Sequence, residues 1–151
     1  MADITDVPEL QHVDLGVLEK EYQTEAQINR FIESLDISAE AKLTISKIAS
    51  VSLSVGDKII KIGKKIIEII IMLSKKFPNT FIGIIIASLL VLLIAQIPLI
   101  GGLISYLLAP LLIGLSVTIG AIKDFKDTAF ANKIAEAASM FDPLKQAGVR
   151  S

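Results

Sequence analysis

The sequence predicts an all-α membrane protein. Its centre is a two-span helical hairpin, at about 80–97 and 103–122, with a long amphipathic helix before it and a shorter one after it. Three observations point there. From Phe77 to Ile122, 46 residues pass with no ionisable group except the Tyr106 phenol, and one spanning helix needs only roughly 20 apolar residues. The whole chain is 52% hydrophobic with a mean hydropathy of +0.65, more than a water-facing domain of ordinary size requires. Charge is also segregated: residues 1–56 carry ten acids and four bases, and residues 57–76 carry six lysines and two acids.

Residues 1–37 read as an acidic, water-facing helical segment. "MADITDVPELQHVDLGVLEKEY" lacks both a basic start and an apolar core, so it is not read as a secretory signal. Insertion then falls to the internal apolar run. No lipidation motif is visible, with Ala2 after the first Met and "GVRS" at the end. Residues 1–10 are expected to be loose and 14–22 to form a short helix. "TEAQINRFIESLD" combines Thr24 as N-cap with Gln27 three residues later, a capping-box pattern, and Ile28, Phe31, Ile32 and Leu35 fall on one helical face.

Residues 38–76 follow as a basic amphipathic helix, with Ser38 as its cap. Steps of four and three from Glu40 trace a stripe through Thr44, Lys47, Val51, Ser54, Lys58, Lys61, Lys65, Glu68, Met72 and Lys75, nearly all of it polar, while isoleucine fills most of the remainder of 57–76. Lys58, Lys61, Lys65, Glu68 and Lys75 are the candidate residues. They face either lipid headgroups, as snorkelling side chains do, or a lumen in an oligomer. Two features work against one unbroken helix. "SVSLSV" (50–55) alternates as a strand would, and Gly56 and Gly63 are positions for a bend.

Residues 77–122 form the hairpin. Pro98 ends the first span, and Gly101 and Gly102 open the return. Lys75 and Lys76 precede the first span, Lys123 and Lys126 follow the second, and the turn carries no charge. The positive-inside rule therefore puts both ends, and both termini, on the cytoplasmic side of a membrane, expected to be a bacterial inner membrane. Pro110 removes one helical hydrogen bond and clashes with the carbonyl of Tyr106, so a kink is expected there. The rival division starts a new helix at Pro110 and leaves 98–109 as a re-entrant piece. Gly83 with Ala87, Ser116 with Gly120, and Gly114 with Thr118 are small residues four apart, the spacing that lets spans pack closely in a homo-oligomer. The competing arrangement buries the same hairpin inside a water-soluble all-α bundle, which leaves about 105 other residues to cover it.

Residues 123–151 add a shorter amphipathic helix and a tail. Phe125, Phe130, Ile134, Ala138 and Phe141 share one face, and Asp142–Pro143 ends it. The chemistry of an enzyme is missing. There is no cysteine, and His12 is the only histidine, which excludes the usual zinc sites. Glu19, Glu21 and Glu25 read as a solvated helical face. "LIGGLI" is an apolar turn and not a phosphate loop. The lysine-rich stretch lacks interleaved aromatics, so lipid suits it and nucleic acid does not. No Asp, Glu or Arg interrupts the spans, as an ion relay would require. No cofactor is expected.

An uncharged hairpin with a short apolar turn, flanked by amphipathic helices, resembles the core of colicin-type pore-forming domains over roughly residues 57–141. The resemblance lies in layout. Those domains are larger and carry more helices around the hairpin, and no residue role transfers. It implies a small membrane-permeabilising component acting as a homo-oligomer on a bilayer rich in anionic lipid. The alternative is a hairpin anchor or scaffold whose acidic N-terminal helices recruit a soluble protein partner.

Overall fold

The computed structural model describes residues 15–55 and 57–145. His12, the stretch 1–10 and both termini lie outside them. The described chain is mostly helical. It begins with α1 (Gly16–Glu19), α2 (Glu25–Ser34) and α3 (Ala39–Ala49). An antiparallel pair follows, β1 (Leu53–Val55) and β2 (Lys58–Ile60), in the register Leu53↔Ile60, Ser54↔Ile59 and Val55↔Lys58. Then come α4 (Ile62–Lys76), α5 (Ile82–Gln96), α6 (Pro98–Ile104), α7 (Leu108–Leu115), α8 (Ile119–Asp124) and α9 (Thr128–Ala138), with 3₁₀ turns at Ser105–Leu107 and Ser139–Leu144.

The early helices start where local chemistry directs. Thr24 and Gln27 form the full capping box of α2, and Ile28 and Ile32 are buried beneath it. Ser38 caps α3 through the Ala41 amide, and its hydroxyl donates to the Gly114 carbonyl across the fold.

One helix over 38–76 does not form. The period-two run at 51–55 supplies β1, which pairs antiparallel with β2 at Lys58–Ile60, and the sequence between them, Gly56–Asp57, is of the glycine-first kind that favours a hairpin over a continuous helix. The chain then doubles back, so that the start of α4 lies against the end of α3. Gly63 donates its amide to the Val51 carbonyl, and a Cβ at Gly63 would stand 1.8 Å from the Ile48 carbonyl oxygen. No other residue type allows that approach. The 3.5-residue stripe is therefore an accident of spacing that crosses four elements, α3, β1, β2 and α4.

Among the described residues only one helical run, Pro98–Leu115, is long and apolar enough to cross a membrane, so a two-span hairpin is not confirmed, and the bounds expected for the second span are displaced. Pro98 sits in the first turn of α6, where its missing N–H costs nothing. A helical run extends from Pro98 to Leu115 in place of 103–122, and Gly101 and Gly102 lie inside it instead of forming the turn. Gly101 has a packing role, since a Cβ there would approach the Ile94 carbonyl of α5 to 2.9 Å. Pro110 falls in the first turn of α7, and the tight 3₁₀ turn at Ser105–Leu107 joins α7 to α6. That joint takes up the backbone mismatch of the proline, and the helical run continues through it from Pro98 to Leu115. The run stops at Ser116, which adopts φ 59° and ψ 41°. Ser116 donates to Ile113 and Val117 to Leu112, the two reverse bonds of a Schellman motif. Residues 119–124 then form the separate α8.

The core runs through α5. That helix is apolar on every side, and Ile85, Ile86, Ala87, Leu89, Leu90 and Leu93 are buried by α4, α6, α7 and α9. α7 packs chiefly on α3, with the Gly114 side of α7 close to the Ala41 backbone. The competing arrangement, a hairpin covered by its own chain, thus describes α5 as it is packed here. α9 carries Phe130, Ile134 and Ala138 inward as the pattern predicts, and Phe141 is buried in the 3₁₀ turn beyond it.

Candidate functional site

Two features stand out in chemical terms, a charge clasp on α4 and an uncharged face on α6–α7. The clasp begins with helical spacing. Lys61 precedes α4, and Lys64, Lys65 and Glu68 lie in its first two turns, three and four apart, so they share a face. Residues 19–25 lie across that face. Lys65 and Glu68 are buried, with side chains only 3% and 5% exposed, and their ammonium and carboxylate meet at 2.8 Å. The second carboxylate oxygen of Glu68 accepts from the Tyr22 and Gln23 amides, both at 2.8 Å. Lys65 also donates to the Lys20 carbonyl, and its ammonium stands 4.7 Å from the centre of the Tyr22 ring. Every strong polar group in this buried cluster has a partner, which is the condition for holding a charge pair inside a fold.

Outside that pair, three exposed acids meet the buried Lys64 and the exposed Lys58 and Lys61. Lys64 bonds Glu21 at 2.7 Å, Lys58 lies 3.6 Å from Glu19, and Lys61 lies 3.8 Å from Glu21 and 4.0 Å from Glu25. The Glu21 carboxyl is held below its ordinary pKa, first by the hydrogen bond from Lys64, then by the charges of Lys64 and Lys61. Glu19, Glu21 and Glu25 are therefore partners of the basic block and not a free solvated face. Among the stripe residues, Lys58 and Lys61 are half exposed, Lys65 and Glu68 are interior, and Lys75 is exposed at the far end of α4. The sequence separates these charges by about 40 residues. The signal that they belong together was the opposition of an acidic block and a basic one.

The uncharged face belongs to the second half of the hairpin. Gly102, Tyr106, Ala109, Pro110 and Ile113 recur at helical spacing and are exposed, with Tyr106 at 69% and Ile113 at 75%. The run Pro98–Leu115 is long and apolar enough to cross a membrane, and less than half of it is buried. α5 is as apolar but shorter. The two ends of the uncharged stretch are held together. Phe77, its first residue, and Phe125, three residues beyond its end, both meet the Phe130 ring edge-on, at centroid distances of 5.2 and 5.0 Å. Lys75 and Lys76 on one strand of the chain and Lys123 and Lys126 on the other are exposed beside that aromatic trio.

The small residues do not make one surface. Gly83 and Ala87 are buried inside the chain, Ser116 is the left-handed stop after α7, and Gly120 is exposed on α8, where a Cβ would meet nothing closer than the Thr118 hydroxyl at 3.8 Å. Gly114 serves the α7–α3 seam. Within this fold the close helix packing read from those spacings occurs between elements of a single chain. No protein-family model, curated protein or solved structure matches this chain.

Proposed function

We propose that this is a membrane-inserting protein whose helical hairpin, α5 with α6–α7, enters a bilayer from one face while its lysine-flanked ends stay at that face. One observation carries the reading. A stretch of more than 40 uncharged residues leaves and returns through the Phe77–Phe130–Phe125 trio. Four exposed lysines stand beside it, as the positive-inside rule requires of a hairpin anchored from the cytoplasm. The exposed apolar face of α6–α7 supports the same reading, because it offers lipid a first point of contact without unfolding.

Permeabilisation by a homo-oligomer is the stronger form of this reading. The amphipathic α4 beside the hairpin supports it. Simple anchoring is favoured by the engagement of the lysine stripe and of Gly83 and Ala87 within one chain. The test uses Ile113→Lys and Tyr106→Lys. Both side chains are exposed, so folding should be unaffected, whereas a lysine near the middle of a span costs about 2.5–3.5 kcal/mol of insertion. Wild-type protein should float with liposomes and resist extraction by alkaline carbonate, and the lysine variants should not. Equal insertion by all three proteins would end the proposal. Dye release by inserted wild-type protein selects the pore, and insertion without release selects the anchor.

A further inference from the structure

We infer that the carboxylates of Glu19, Glu21 and Glu25 act as a built-in competitor for a lipid-phosphate site formed by Lys58, Lys61 and Lys64, so that only a strongly anionic bilayer engages those lysines. The inference rests on the membrane-inserting reading above and concerns its regulation. Lys58, Lys61 and Lys64 converge from β2, the linker and the first turn of α4, which makes a patch of three positive charges. Three carboxylates from residues 19–25 lie on that patch, so its net charge is nil.

The two layers of the cluster differ in how firmly they hold. The backbone of 20–23 is fixed from below, by Glu68 accepting from Tyr22 and Gln23 and by Lys65 donating to Lys20. The acids above are held less firmly: the side chains of Glu19, Glu21 and Glu25 are 38%, 53% and 79% exposed, and three of their four contacts are 3.6 Å or longer. The exception is the 2.7 Å bond from Glu21 to Lys64, whose side chain is only 9% exposed and sits deeper than the open Lys58 and Lys61. Such surface pairs hold weakly. A dense array of lipid phosphates offers the same lysines a multivalent anion, to which each lysine near the surface contributes appreciably. Exchange therefore needs only side-chain rotation and leaves the buried pair intact. A sparse anionic surface cannot compete with three carboxylates already in place.

The test is flotation of the full chain with phosphatidylcholine vesicles carrying increasing fractions of phosphatidylglycerol. The variant Glu19→Gln/Glu21→Gln/Glu25→Gln is compared with Glu33→Gln/Asp36→Asn/Glu40→Gln, which changes net charge equally at exposed acids outside the described ion pairs. The first variant should bind at a lower phosphatidylglycerol fraction and at least about tenfold more tightly than the second. Adding Lys58→Gln/Lys61→Gln/Lys64→Gln to it should abolish the gain. Equal binding by the two acid variants, or a gain that survives loss of the lysines, overturns the competitor while leaving membrane insertion standing. Failure of every protein to float, even with pure phosphatidylglycerol, overturns the membrane reading itself and the competitor with it. Glycerol phosphate in solution at matched ionic strength should leave flotation unchanged, and competition by it would assign the patch to free phosphates instead of lipid.

Discussion

Glu68→Gln is the sharpest test of the clasp on α4. The substitution preserves shape and removes one charge. Glu68 uses one oxygen for the Lys65 ammonium and the other for two backbone amides, all at 2.8 Å. A glutamine has one oxygen, so whichever way it turns its NH₂ faces donors: the ammonium on one side or the Tyr22 and Gln23 amides on the other. Breaking a buried ion pair from one side costs about 3–5 kcal/mol, and each orphaned buried amide about 1–3 kcal/mol. Both side chains of the pair are almost fully buried, so solvent does little to reduce the first figure. Against a total stability of about 5–15 kcal/mol, the loss should be plain. Urea unfolding followed by far-UV circular dichroism should show Glu68→Gln destabilised by about 3 kcal/mol or more. Lys65→Met should cost less, because Glu68 keeps its two backbone donors. The double variant Lys65→Met/Glu68→Leu should cost less than the sum, with a coupling of about 0.5–3 kcal/mol. A loss below about 1 kcal/mol for Glu68→Gln, or strict additivity, would refute the clasp.

Three further outcomes are expected. Gly63→Ala should lower stability by about 1–3 kcal/mol or more in the same assay, because its methyl group would meet the Ile48 carbonyl and force α3 from α4. Ser116→Gly should raise the melting temperature, corresponding to roughly 1 kcal/mol, by removing the Cβ from a left-handed residue while keeping the Schellman bonds. Glu21 has its folded pKa lowered by Lys64, so its contribution is present above the unfolded carboxylate value and is lost as pH falls through the lower folded value. Glu21→Gln should flatten that acid limb of a stability–pH profile, and an unchanged limb would show that the pair does not act in solution.

What the sequence reveals here depends on the range of the interaction. Thr24 with Gln27, and Ser38 with α3, are legible because a cap and its amide lie three residues apart. The uncharged run is legible as composition, and the Pro98–Leu115 helix bears out its apolar character, with bounds moved because proline opens a helix as readily as it ends one. The break at 50–61 was present in the alternation of "SVSLSV" and in Gly56 and Gly63, but a polar residue every three or four positions masked it. Lys64 with Glu21 and Glu68 with Tyr22 are out of reach of any local rule. They span 43 and 46 residues, and only the folded chain sets acid against base.

That pairing bears on why an uncharged hairpin is stored in a folded chain at all. α5 is apolar on every side, and lipid tails are as apolar as the leucines and isoleucines that now surround it, so core and bilayer are nearly equivalent solvents for it. α6–α7 already exposes Tyr106 and Ile113. Burial of the hairpin alone therefore gives the closed fold little advantage over insertion. The advantage lies in what insertion would uncover: the apolar sides of α3, α4 and α9, whose buried isoleucines, with Phe130, now rest on α5 and α7. Exposing such faces to water costs about 25 cal/mol for each Å², unless they too settle at the membrane surface. In the closed fold the Lys65–Glu68 pair and the acids of 19–25 match the charges of α4 inside the chain, and at a membrane surface lipid phosphates would have to take the place of those acids. On the proposed membrane reading, the electrostatics of α4, more than the hydrophobicity of the uncharged run, would decide between the closed fold and insertion.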